Sequence, residues 1–164
     1  MIEIKHETLA EIVLPVDPAS LTTAQEKGVR IVKTKSGKMI PTFFKKKRAV
    51  ENERLLTKAL RPFAPKSPYS CEGWFEGLGL SITYFFPYTS STPKKIIGAC
   101  NGEVCIPMTQ RPDVDNISKA VIDVMTKCGF FVDDSQISGL VLRKYRAVNP
   151  CIMISIVKQT AEDK

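Results

Sequence analysis

The chain has 164 residues, 43% of them hydrophobic, which suits one domain with a buried core and excludes a disordered chain. Lys and Arg number 24 against 17 Asp and Glu, a net charge of +7. No uncharged apolar run reaches the roughly 18 residues of a membrane helix, so no membrane partner is expected, and the start MIEIKHE does not read as a secretory leader.

Residues 2–14 alternate, with Ile2 and Ile4 and then Ala10, Ile12 and Leu14 on one parity, and predict one strand or two short ones. Pro15 and Pro18 break them. Residues 29–40 predict a hairpin with Ser36 and Gly37 in its turn. Thr42 is expected to cap a helix running to about Arg61, with Ala49, Leu56, Ala59, Leu60 and Phe63 on its buried face. Phe43 and Phe44 read as core, Trp74 as core or interface. Residues 78–86, LGLSITYFF, predict a strong strand. Residues 87–111 form a long polar connection, a kind usually functional or mobile. A second helix is expected from Asn116 to about Lys127, burying Ile117, Val121, Val124, Met125 and Cys128, with Gly129 as its left-handed terminator. Residues 139–146 and 151–157 predict the last two strands, and 159–164 a disordered tail. The fold class is α+β: a mixed sheet with two main helices packed on it, one domain over 1–158.

The five cysteines, Cys71, Cys100, Cys105, Cys128 and Cys151, are scattered and odd in number, with no CxxC. They argue against a disulfide framework and a zinc site, and for a reducing, cytoplasmic setting. His6 is the single histidine, which argues against a His-based metal cluster or a Ser-His triad.

The charge is uneven. Residues 27–66 hold 13 basic and two acidic side chains, a net +11, which leaves −4 for the rest. Such asymmetry points to a polyanion, of which nucleic acid is the usual one. Lys45, Lys46, Lys47, Arg48, Lys94, Lys95, Arg143, Lys144 and Arg146 are the candidate phosphate contacts.

The most informative stretch is RPDVDNISKAVIDVMTKCGFFVDDSQ, residues 111–136. Asp113 and Asp115 follow Pro112 in what should be an extended approach to the helix, where residues two apart face the same way. Twelve helical residues rise about 18 Å. Five extended residues after Gly129 return about 17 Å, bringing Asp133 and Asp134 back beside the first pair. Neighbouring strand residues face opposite ways, so one of these two can join; spacing leaves open which. A cluster of carboxylates needs a cation, and all-oxygen donors suit Mg²⁺ or Mn²⁺. Lys119, one turn into the helix, is placed to stabilise charge on a phosphoryl group, or to pair with Asp115 or Asp123. The residues alone indicate a metal-dependent enzyme acting on nucleic acid.

The same string resembles the signature of RusA-type Holliday junction resolvases: D-x-DN, a Lys four residues after the second Asp, a helix ending in Gly, then DD-x-Q. Lys144 also matches a basic position on the following strand. The resemblance implies a homodimeric, magnesium-dependent endonuclease that places symmetric nicks in a four-way DNA junction. It implies Asp113, Asp115 and Asp134 as metal ligands and Lys119 as the catalytic lysine. The connection at 87–111 and the segment at 15–48 look longer than in the smallest members. A broader branched-DNA or flap nuclease and a non-catalytic DNA-binding module are the alternatives.

Overall fold

The structure, a computed structural model, describes residues 2–21, 27–99 and 106–163. Cys100, Cys105 and Lys164 lie outside the described residues. In chain order the elements are β1 (Ile2–Leu14), β2 (Lys27–Lys33), β3 (Met39–Lys45), α1 (Lys47–Leu60), β4 (Glu76–Pro87), α2 (Lys94–Ala99), β5 (Ile106–Pro107), α3 (Val114–Lys127), β6 (Ile137–Ala147) and β7 (Cys151–Asp163). One-turn 3-10 helices at Pro18–Ser20, Arg61–Phe63 and Asp134–Gln136 join them.

Five strands form one sheet in the order β1-β7-β4-β6-β5. The pair β4–β6 is parallel and the others are antiparallel, so the sheet is mixed. A parallel pair needs a crossover, and α3 lies in it. Alternation decides the buried face. Leu78, Leu80, Ile82, Tyr84 and Phe86 of β4 are buried with Ile152, Ile154 and Ile156 of β7 and Ile12 and Leu14 of β1. Against them pack Leu56 and Leu60 of α1 and Ile117, Val121, Val124 and Met125 of α3, as their spacing predicts. The α+β class with two main helices on a mixed sheet is thus what forms.

Several boundaries differ from expectation. Thr42 caps no helix. It belongs to β3, whose register against β2 is set by the turn at Gly37, with φ +83°, and the strand continues to Lys45. The hairpin β2–β3 is a separate two-stranded sheet, so Phe43 is 68% exposed and Phe44 is exposed as well. Trp74 is 99% exposed and outside the core. Residues 159–163 are not a disordered tail: β7 runs to Asp163 because β1 pairs with it as far as Ile2, and Lys5 binds Glu162 across the pair. Gly129 does end α3, with φ +80°, and its amide and that of Phe130 satisfy the carbonyls of Thr126 and Met125.

Candidate active site

The site begins where α3 begins. The helix starts at Val114, two residues before the expected Asn116. Asp113 is therefore its N-cap, with extended backbone at φ −69° and ψ 132°, and Asp115 sits in the first turn. The two carboxylates share one turn of a helix entry rather than one side of an extended strand. Asp113 does not cap with its side chain; Asn116 Nδ2 donates to its Oδ2 at 3.5 Å. Both carboxylates are exposed. No Lys or Arg among the described residues forms an ion pair with either. The positive end of α3 favours negative charge here.

Lys119 is exposed one turn further along α3. Neither the Asp115–Lys119 nor the Lys119–Asp123 pair forms among the described residues. Its ammonium is thus not committed to a carboxylate of its own helix.

The two aspartates after α3 divide their work. Asp133 caps the turn Asp134–Gln136: its Oδ1 accepts the Ser135 amide at 2.8 Å. Hydrogen bonds from Ser135 hold its carboxyl below the usual carboxylate range. Asp134, the next residue, is exposed and caps nothing.

Asp134 does not return to Asp113. Phe130 and Phe131 are core residues, with the Phe130 carbonyl accepting the Tyr69 amide at 2.8 Å and Phe131 bridged to Tyr69. They cannot form a free return strand along α3, so the chain enters β6 from the far end of the helix. In the β4–β6 register Ile137 stands beside Leu78 and Lys144 beside Tyr84. Lys144 Nζ donates to the Pro112 carbonyl at 2.8 Å, which places Asp113 at the Lys144 end. Asp134 lies three residues before Ile137. About 23 Å of strand and about 21 Å of helix separate the two ends. Among the described residues, no three His, Cys, Asp or Glu side chains gather into a group fit to hold a metal.

Asp113 and Asp115 still fit a hard cation by donor chemistry. They are two exposed carboxylates with no basic partner among the described residues, and magnesium usually takes only one or two from a protein, with water and phosphate oxygens around it.

Residues 22–157 match the family Endodeoxyribonuclease RusA. A crossover junction endodeoxyribonuclease rusA of Lactococcus phage r1t is 31% identical over 137 residues, 84% of this chain and 89% of that relative. The chain belongs to the RusA family of endodeoxyribonucleases. Its activity class is endonucleolytic cleavage of DNA.

In this RusA-family nuclease the basic candidates fall into different settings. Lys46 is the N-cap of α1, and Lys47 and Arg48 lie in its first turn, where their charge adds to the positive end of the helix. Lys45 is ion-paired to Glu53. Lys94 and Lys95 open α2. Arg143 bonds Ser81 Oγ at 3.3 Å on the sheet face opposite Tyr84 and Lys144. Lys144 and Arg146 face inward to the chain itself. Lys144 donates to the carbonyls of Gln110 and Pro112, and Arg146 to the Pro87 carbonyl at 2.8 Å and to Gln110 Oε1 at 3.4 Å.

Sequence reasoning missed Gln110 and Tyr84. Gln110 acts largely through its backbone carbonyl, which leaves no signature in sequence. Tyr84 reads as one more aromatic strand residue, yet its hydroxyl meets Ser118 in the second turn of α3. No helix among the described residues is long and apolar enough to cross a membrane.

Proposed function

We propose that the chain is a magnesium-dependent, structure-specific endonuclease that resolves four-way DNA junctions by paired, symmetric nicks and acts as a homodimer. The observation that carries this reading is the pair Asp113 and Asp115, carboxylates on one helix entry with no ion-pair partner among the described residues, with Asp134 at the opposite end of the same helix. One chain holds two parts of a three-carboxylate site, too far apart to meet. A second copy related by a two-fold axis brings Asp134 of one protomer to Asp113 and Asp115 of the other, and does so twice. Two complete sites related by one axis suit two cuts in opposing strands.

Asp113, Asp115 and Asp134 would hold the cation, Mg²⁺ or Mn²⁺. A cation there supplies an activated water and stabilises the leaving oxygen of a phosphodiester. Lys119 faces the phosphoryl oxygens and offsets the charge that builds on them. Lys46, Lys47 and Arg48, with Lys94 and Lys95, bind backbone phosphates; such binding is salt-dependent and carries no sequence information. Cys71 and Cys128 are free thiols, which suits a reducing, cytoplasmic setting for a nuclease of DNA branches.

The test is cleavage of a synthetic four-way junction with Mg²⁺, with products mapped on all strands. Symmetric nicks in two opposing strands are expected. Equal cleavage of flaps or linear duplex would move the assignment to a broader branched-DNA nuclease. Binding without cleavage in both Mg²⁺ and Mn²⁺ would move it to a non-catalytic module.

A further inference from the structure

The segment that delivers Asp113 is stitched to the second half of β6. Ile106 and Pro107 of β5 pair with Arg146 and Tyr145. The Met108 amide donates to the Lys144 carbonyl at 3.1 Å. Beyond that point regular pairing stops, and side chains take over. Lys144 Nζ donates to the Gln110 carbonyl at 2.7 Å and to the Pro112 carbonyl at 2.8 Å. Arg146 holds the Gln110 side chain. One ammonium therefore bonds the carbonyls on either side of Arg111, the second of them in the residue before Asp113.

These are charge-assisted hydrogen bonds of normal length on a half-buried side chain. They bear on Asp113 because an N-cap residue takes its orientation from the chain leading into it. The carbonyl of Asp113 accepts the Ile117 amide at 3.3 Å, the first bond of α3. The Asp113 carboxylate has no capping bond of its own to fix it. Its placement relative to Asp115 depends on the backbone at 110–112, and Lys144 fixes that backbone. Tyr84, the strand partner of Lys144, anchors the next turn of the same helix through Ser118.

We infer that Lys144 is a positioning residue for the Asp113–Asp115 carboxylate pair, acting through the carbonyls of Gln110 and Pro112 rather than on DNA phosphate. This rests on the reading of that pair as the metal-binding part of the site. Groups that orient metal ligands from behind cost about 10–100-fold in metal affinity when removed.

The test uses the full chain without DNA and Mn²⁺ as the probe, its binding followed by electron paramagnetic resonance. Lys144→Met is expected to weaken Mn²⁺ binding by about tenfold or more. It should also speed amide exchange at residues 113–117. Lys144→Arg, which keeps the charge and the donors, is expected to recover part of both. Junction affinity without divalent cation, and its dependence on salt, should match the unaltered chain. If Mn²⁺ affinity and exchange stay unchanged while the salt slope falls by about one, Lys144 binds phosphate and the inference is overturned. Asp115→Asn separates the positioning role from the metal pair itself. Loss of Mn²⁺ binding in Asp115→Asn but not in Lys144→Met overturns the positioning role alone. No loss in either overturns the metal pair as well. Should Lys144→Met lose its far-UV circular dichroism, Lys144→Gln, which can still donate to one carbonyl, is read in its place, with a smaller loss expected.

Discussion

The hydroxyl of Tyr84 lies 3.0 Å from Ser118 Oγ, and both side chains are buried. Ser118 uses its single proton on the Val114 carbonyl at 2.6 Å, so Tyr84 is the donor to Ser118. Burial pushes the Tyr84 phenol well above its ordinary value, keeping it a neutral donor. This hydrogen bond ties the centre of β4 to the turn of α3 that follows Asp115.

The two halves of the bond should differ in cost when removed. Tyr84→Phe removes the donor and leaves Ser118 bonded to Val114, and should lower stability by about 1 kcal/mol or less. Ser118→Ala leaves the Tyr84 hydroxyl buried without a partner, which should cost about 1–3 kcal/mol before a small gain in helix propensity. Urea unfolding followed by circular dichroism measures both. Equal destabilisation, or a larger effect for Tyr84→Phe, would show that the hydroxyl finds another partner.

Asp115→Asn should abolish Mg²⁺-dependent junction cleavage while junction binding persists, since the amide keeps the shape and loses the charge. Ca²⁺ should support little cleavage in the unaltered chain, because its looser coordination fits the proposed chemistry poorly. Full cleavage by Asp115→Asn would sink the metal assignment.

The separation of Asp134 from Asp113 gives a sharper prediction. Asp115→Asn and Asp134→Asn should each be inactive alone. After unfolding and refolding together, half of the dimers would be mixed. If sites are shared between copies, a mixed dimer has one site with both changes and one with neither. It should then nick one strand of the junction per binding event. If each chain holds its own site, every site in the mixture carries one change and no activity returns.

The same two positions show how far sequence could be read. The helix, its buried face and its stop at Gly129 follow from local pattern, and they form. The strand at 78–86 likewise needs no distant information. Asp134 is different. Its place depends on whether residues 130–131 are free to run back along α3, and they are not, because Phe130 and Phe131 fill the core against Tyr69. Those partners lie far apart in the sequence, so spacing could not reveal the bridge. Asp133 and Asp134 differ for a local reason: Asp133 caps the turn and Asp134 does not. Spacing arithmetic alone left it open. Thr42 misled in another way, since a Thr before a basic helix reads as a cap, while pairing with Arg30 claims it for β3.

Glu53 predicts a pH dependence. On α1 it is ion-paired to Lys127 of α3 and Lys45 of β3, joining three elements. The Lys127 hydrogen bond and then that of Lys45 hold its carboxyl below the usual range. A depressed carboxyl contributes stability that is present above its unfolded pKa and lost as pH falls through its folded one. Glu53→Gln should therefore destabilise the chain at pH 7 by up to about 1 kcal/mol, the ceiling that solvent screening sets for such pairs. Thermal melts of the two proteins should begin to approach one another as pH falls past the ordinary Glu value of about 4.3 and converge only below the depressed folded one. A gap that persists at low pH would mean that Glu53 acts by packing.

Glu53 also divides the basic run at the start of α1. Lys45 already has a carboxylate partner, while Lys46, Lys47 and Arg48 sit at the positive end of the helix with no acid in its first turn. Three cations placed there repel one another and the helix end, an arrangement that a bound phosphate would relieve. Replacing all three with Ala should lower the slope of log junction affinity against log salt by about 0.9 for each phosphate no longer neutralised, at most about 2.7. The weakening should be alike for junctions of different sequence, because phosphate carries no sequence information. Lys45→Ala alone should change the slope much less, since its charge is already offset by Glu53. Filter binding or fluorescence anisotropy from low to moderate salt would measure these slopes. An unchanged slope in the triple variant would remove this helix end from the DNA path and leave Lys94 and Lys95 to carry it.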